Sequence, residues 1–194
     1  MVVGITGSIA CGKSLVSNYL KSKNYSVIDS DLISHDVLLL KEVKDKLISL
    51  FGKNILNNNE IDRKELGKII FNNLESKNKL QDTVLSYIVE EIKTQIKHSS
   101  GLVFLDAPLL IEYNLLYLVN KVIVVTVDLE TQIQRLISRD NITIDYAYKK
   151  INSVLSSKEK EKFADYIIDN NNSINETYKQ IDDILKKLGE TNEN

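Results

Sequence analysis

At 194 residues, 43% of them hydrophobic, the chain has the length of one ordinary domain, or of one domain carrying an insertion, and enough apolar material for a real core, which excludes extensive disorder. Its 25 Lys and Arg are offset by 27 Asp and Glu for a net charge of −2, so no basic excess seeks a polyanion and nucleic acid is not an expected partner. No apolar run approaches the roughly 20 residues of a membrane span and no leader pattern opens the chain, so a cytoplasmic protein without a membrane partner is expected. One cysteine and two histidines supply neither a disulfide framework nor a zinc cluster, which leaves a hard, oxygen-bound metal as the only kind expected.

Val2 to Thr6 is short, rich in β-branched residues and ended by Gly7, which predicts a buried strand. Leu15, Val16, Tyr19 and Leu20 fall at helical spacing, Asn24 ends that pattern, and Ser26 to Ile28 reads as a second strand. Between the first strand and the helix, residues 7–14 spell GSIACGKS and fit G-x-x-x-x-G-K-[ST]. Gly7 and Gly12 let backbone N–H groups converge on phosphate oxygens at a helix N-terminus, Lys13 is expected to reach the transferred phosphate, and Ser14 to ligate magnesium. Strand before and helix after is the context this chemistry requires, so Gly7, Ser8, Ile9, Ala10, Cys11, Gly12, Lys13, Ser14 and Leu15 are the expected nucleotide contacts. Cys11 reads as a small residue that fits the loop, with a redox-sensing thiol as the minor alternative.

Asp29 and Asp31 follow the second strand at the carboxyl edge of the expected sheet, where open α/β folds bind ligands. One carboxylate there can cap a helix while the other accepts, or orients, the proton of an attacking substrate hydroxyl. From Lys41 to Ser100 no long alternating pattern appears; helical spacing in Val43/Leu47/Leu50/Phe51, in Leu66/Ile69/Ile70/Leu74 and in Leu80/Val84/Ile88/Ile92/Ile96 predicts an inserted helical region. Asp62 with Glu65 resembles a capping box, Asn57-Asn58-Asn59 a turn, and Arg63 is either an anion contact or a plain surface residue.

Leu102 to Leu105 and Val122 to Val127 are nearly continuous in apolar residues, as in a parallel sheet covered on both faces. Asp106 ends the first of these strands in a carboxylate suited to holding magnesium, Pro108 forces an extended exit, and Glu112 is expected near the same cleft. Asp128 is expected to cap a helix running to about Arg139. On it Gln132, Arg135 and Arg139 share one face, opposite Leu129, Ile133, Leu136 and Ile137, so the two guanidiniums are placed to close over phosphates or else to lie in solvent. One helix or a pair is expected over Asp145 to Phe163, a last strand over Tyr166 to Ile168, a turn at Asn170 to Asn172, and a final helix from about Ile174 to Leu188 before a fraying Gly-Glu-Thr-Asn-Glu-Asn end.

Three function classes accommodate a phosphate-binding loop: a small-molecule kinase, a regulatory GTPase, and a protein that binds nucleotide without transferring phosphate. The guanine-reading Asn-Lys-x-Asp should follow a strand, whereas Asn120-Lys121-Val122-Ile123 lacks the Asp and precedes one. Carboxylates at two strand ends and an arginine helix favour the kinase.

The stretches GITGSIACGKS, VIDSDLISHDVL, IDRKELGKIIF, FLDAPLLIE, TQIQRLISRD and ADYIIDNNNS, in this order and spacing, resemble the dephospho-CoA kinase family, a branch of the P-loop kinases related to the nucleoside monophosphate kinases. The resemblance spans about residues 2 to 185 and implies transfer of the γ-phosphate of ATP, with Mg2+, to the 3′-hydroxyl of dephospho-CoA; another small-molecule P-loop kinase, such as a nucleoside monophosphate kinase, is the alternative. It implies a three-layer α/β/α fold with a central parallel sheet: a nucleotide core at 1–40, 101–129 and 164–190, a helical substrate domain at 41–100 and a lid at 130–163. By the same resemblance Lys13, Asp31, Arg135 and Arg139 are catalytic, Asp31, Arg63, Asp106 and Pro108 contact substrate, Ser14 and Asp106 bind metal, and Asn170 lies near the adenine. A monomer or weak homo-oligomer is expected. Departures from the family pattern are Ser8 and Ala10 in place of glycines, His35 where arginine is common, Leu85-Ser86 for His-Pro, and Val154 for Gln.

Overall fold

The computed structural model describes residues 1–71 and 73–190. In chain order the elements are β1 (Val2–Gly7), α1 (Lys13–Ser22), β2 (Ser26–Asp29), α2 (Ser30–Val37), α3 (Lys41–Phe51), β3 (Leu56–Asn57), β4 (Glu60–Ile61), α4 (Arg63–Phe71), α5 (Leu74–His98), β5 (Val103–Asp106), β6 (Lys121–Thr126), α6 (Leu129–Asp140), α7 (Ile144–Ile151), α8 (Ser157–Glu161), β7 (Tyr166–Asp169) and α9 (Ile174–Glu190). They form two compact units, one from Met1–Ile28 and the chain from Ser99 onward, the other Asp29–His98.

The first unit is built on a five-stranded sheet in the order β2-β5-β1-β6-β7. β1 pairs in parallel with β5 and β6, and β6 with β7, so Asp106 lies opposite Ile5 and the chain leaves β1, β5, β6 and β7 at one edge. The apolar runs of β1, β5 and β6 are buried for the reason the sequence suggested: helices flank the sheet, and Val3, Ile5, Phe104, Ile123 and Val125 join Leu20 in one core. On α1 and α9, Tyr19 stacks on Tyr178 with centroids 3.9 Å apart, and its hydroxyl donates to Asp182 at 2.9 Å. α9 runs two residues beyond the expected Leu188, so Gly189 and Glu190 stay helical; the rest of the expected fraying end, 191–194, lies outside the described residues.

Of the one helix or pair expected between Asp145 and Phe163, the structure has a pair, α7 and α8. Thr143 caps α7, and Ser156 with Glu159 forms a full capping box on α8. α6 is capped by Asp128, whose carboxylate accepts from the Thr131 amide at 2.8 Å. Ile133 and Leu136 of α6 meet Ala147 and Ile151 of α7 in a small separate core, against which Ile9 and Ala10 of the loop after β1 also pack.

In the second unit α2, α3 and α4 all lean on α5, whose Ile88, Val89 and Ile92 are buried. The expected turn at Asn57-Asn58-Asn59 is the tip of a hairpin, β3 against β4, with Asn58 and Asn59 in the left-handed region at φ 48° and 62°. Two-residue strands are too short to show alternation, which is why only helices were expected there. The Asp62–Glu65 capping box is corrected to half of one. Asp62 caps α4 by accepting from Lys64 and Glu65, but its own amide is taken by the Ile55 carbonyl at 2.7 Å, and Glu65 pairs with Lys68 instead.

Candidate functional site

The bend between β1 and α1 is shaped by the residues that cannot be larger. A Cβ on Gly7 would press on Cys11 Sγ and the Val125 carbonyl. Gly12 caps α1 at φ 90°, and a Cβ there would overlap the Asn170 side chain. Ala10 adopts φ 57° without being glycine, at a strain on the order of 1 kcal/mol. Side chains from outside hold the loop's carbonyls: Gln132 Nε2 donates to Ile9 O at 2.5 Å and to Ser8 Oγ at 2.9 Å, and Asn170 Nδ2 donates to Cys11 O at 2.8 Å.

Among the described residues the amides of Ala10, Gly12 and Ser14 find no acceptor in the protein. They border a cavity of about 540 Å3 lined also by Gln134, Arg135, Ser138 and Arg139. Backbone donors at a helix N-terminus, opening onto a cavity edged by two guanidiniums, are chemically suited to a polyanion. Gly12→Ala should lower nucleotide affinity at least about ten-fold, roughly 1.4 kcal/mol, in a calorimetric titration, because left-handed backbone and the Asn170 contact cannot both survive a methyl group.

Lys13 Nζ is bonded to Asp106 Oδ1, and Ser17 Oγ donates to Asp106 Oδ2 at 2.5 Å. The strand-end carboxylate thus meets the loop lysine in the folded chain. Cys11 is buried beneath the loop, and burial pushes its thiol above the ordinary range even though the Lys13 amide and the charges of Lys13 and Lys160 pull the other way. That environment keeps the thiol protonated and suits the small-residue reading over redox sensing.

The arginine helix needs one correction. Gln132 does not lie along a solvent face; it is buried against the loop, while Leu129, placed by periodicity on the apolar side, is 51% exposed. Arg135 is half-buried and donates to Asn170 O at 2.9 Å. Arg139 lines the cavity mouth, where its Nε bonds Asp140 at 2.8 Å, and with Lys150 it holds the Asp140 carboxyl down to about 2, so that anion is ionised throughout the neutral range. Asn170 is buried, and both ends of its amide are engaged, one by Cys11 O and the other by Thr177 Oγ1 at 2.9 Å. Its side chain buttresses the loop.

Pro108 presents its carbonyl to Thr6 Oγ1 at 2.9 Å and to Lys160 Nζ at 2.5 Å. Glu112 pairs with Lys160, a residue that no sequence signal distinguished from its neighbours. Gln132, Ser17 and Lys160 are the polar contributors missed from sequence.

In the second unit the two aspartates separate. Asp29 is the cap of α2, its Oδ1 accepting from the Asp31 and Leu32 amides at 3.0 and 3.1 Å, and Asp31 lies exposed in the helix's first turn. Arg63 opens α4 and is exposed. His35 is exposed beside Asp36 at 3.6 Å. Among the described residues no three His, Cys, Asp or Glu side chains gather as a metal cluster, and no helix is long and apolar enough to cross a membrane.

A family model for dephospho-CoA kinase matches residues 1–176. A dephospho-CoA kinase of Oceanobacillus iheyensis is 42% identical over 193 residues, covering 96% of this chain and 97% of the relative, and one of Fusobacterium nucleatum is 39% identical over 184 residues, covering 94% and 95%. Among solved structures, a dephospho-CoA kinase from Campylobacter jejuni matches with TM-score 0.65 at 30% identity over 96% of both chains. A protein described as TT1252 from Thermus thermophilus superposes with TM-score 0.86 at 24% identity over 97% of each chain, a likeness of fold.

Proposed function

The chain belongs to the dephospho-CoA kinase family, and from that premise and the open phosphate loop we propose that it transfers the γ-phosphate of ATP to the 3′-hydroxyl of dephospho-CoA, giving coenzyme A and ADP. The observation that carries the reading is the bend at 8–14: acceptor-less amides and a lysine at a helix N-terminus, bordering a cavity of about 540 Å3. Phosphoryl transfer through a loose transition state demands little covalent work from a protein, so positioning and charge neutralisation are the functions to assign.

In this reading the loop amides take the phosphate chain and Lys13 exchanges Asp106 for phosphate oxygens. Arg135 and Arg139 supply charge from a lid at 130–163, and Asn170 acts through the loop it supports. Ser14, exposed at the start of α1, and Asp106 are hard oxygen donors and fit a Mg2+ ion that keeps most of its waters. When bound, that ion offsets charge on the β- and γ-phosphates. Asp31 accepts the proton of the 3′-hydroxyl or orients it. The helical insertion at 41–100, with Arg63, takes the CoA precursor, and Pro108 shapes the acceptor side of the core. The working form is a cytoplasmic monomer or weak homo-oligomer.

The test is ADP release with dephospho-CoA, AMP, CMP and shikimate as acceptors. Dephospho-CoA should stimulate release at least ten-fold over the others and over ATP alone. Preference for AMP would replace this reading with that of a nucleoside monophosphate kinase.

A further inference from the structure

We infer that Lys160 is a positioning residue for phosphoryl transfer, holding the turn after β5 so that Asp106 faces the phosphate loop; the inference rests on the kinase reading above. Lys158 and Lys160 of the five-residue helix α8 and Lys162 just after it alternate along the chain, yet Lys160 alone is completely buried. Its ammonium has three donors and finds three acceptor groups: Pro108 O at 2.5 Å, Thr6 Oγ1 at 3.3 Å, and the Glu112 carboxylate at 3.0 Å to Oε1.

These acceptors belong to the two segments on which the site depends. Thr6 immediately precedes Gly7 of the loop, and Pro108 comes two residues after Asp106. Thr6 Oγ1 itself donates to Pro108 O, and Glu112 Oε1 also accepts the Leu155 amide at 3.2 Å, which ties the approach to α8 into the same ring. Ala107 N donates to Ile5 O at 3.0 Å, so the backbone leaving Asp106 is held from the β1 side by that bond and from the far side by the ammonium on Pro108 O. The side chain whose direction this fixes is Asp106, the partner of Lys13 and Ser17.

A charge taken fully out of water is a poor way to gain stability, because well-packed apolar groups of similar volume serve as well or better. Its value here is geometric. The ammonium accommodates three acceptors from β1, the β5 exit and Glu112 that no hydrophobic side chain would hold at fixed distances.

The test compares the native chain, Lys160→Met, and the double variant Lys160→Met/Glu112→Met, with kcat, KM for ATP, thermal stability and amide hydrogen exchange over residues 106–112 as readouts. Lys160→Met should lower kcat at least 30-fold while KM for ATP stays within three-fold, and should speed exchange in 106–112. Because the single variant leaves the half-buried Glu112 charge without its ammonium partner, it will also be less stable. The double variant removes that charge and should regain stability but not kcat. Recovery of kcat together with stability, or unchanged exchange in 106–112, would overturn the inference. Exchange needs no acceptor, so a native chain that prefers another acceptor refutes the function proposed above and leaves this test intact.

Discussion

Lys13→Ala should lower kcat by about 10^3-fold, the scale seen when a single preorganised donor or cation is removed from a transferring group. Lys13 is the only loop side chain whose charge reaches the strand-end carboxylate, and its alternatives in the folded chain are therefore Asp106 or a phosphate. The same substitution should also destabilise the fold. Asp106 is 4% exposed, and without Lys13 its charge keeps only the Ser17 hydroxyl. Breaking a buried pair from one side costs about 3 kcal/mol, or roughly 6–12 °C in Tm for a chain of this size. The two effects separate in Lys13→Ala/Asp106→Asn, which should regain most of the Tm and none of the activity. A Lys13→Ala enzyme within ten-fold of native kcat would remove the lysine from the chemistry.

Asp31→Asn should lower kcat by about 10^2-fold or more with KM for ATP within three-fold, since in the proposed role the lost group acts on the acceptor hydroxyl and not on the nucleotide. The substitution preserves shape and leaves the cap of α2, which is Asp29, in place. Asp29→Asn is the matched control. Asparagine caps helices as well as aspartate, so that variant should keep near-native kcat, whereas Asp29→Ala should lose about 1 kcal/mol of stability. The opposite outcome, activity lost at Asp29→Asn and kept at Asp31→Asn, would exchange the two roles. From sequence the pair Asp29-Ser30-Asp31 left either residue able to cap; the hydrogen bonds from the Asp31 and Leu32 amides to Asp29 Oδ1 decide it.

The strands of the five-stranded sheet, the loop and the main helices of the insertion were legible because each rests on local or periodic information, whereas the short β3–β4 hairpin was not. β1, β5 and β6 are apolar throughout since helices flank the sheet, α1 follows a glycine that alone tolerates φ 90°, and α5 repeats its apolar residues every three to four positions. The family resemblance drew on the same segments, and the family match over residues 1–176 agrees with it. What periodicity misjudged were positions where a polar side chain has a distant partner. Gln132 reads as solvated on a helical wheel, yet it bonds Ser8 and Ile9, more than 120 residues away in sequence. Asn170 reads as a turn residue, yet it fills the space that Gly12 leaves open.

By itself, then, the amino-acid order determined the strand–loop–helix unit, the parallel sheet and the class of chemistry, because backbone conformation and burial pattern depend on neighbours along the chain. Only the tertiary structure decided which of Lys158, Lys160 and Lys162 turns inward and which aspartate caps α2. Equivalent charges on one short segment differ only in what the rest of the fold brings to meet them, and a buried ammonium persists where three acceptors from separate segments converge.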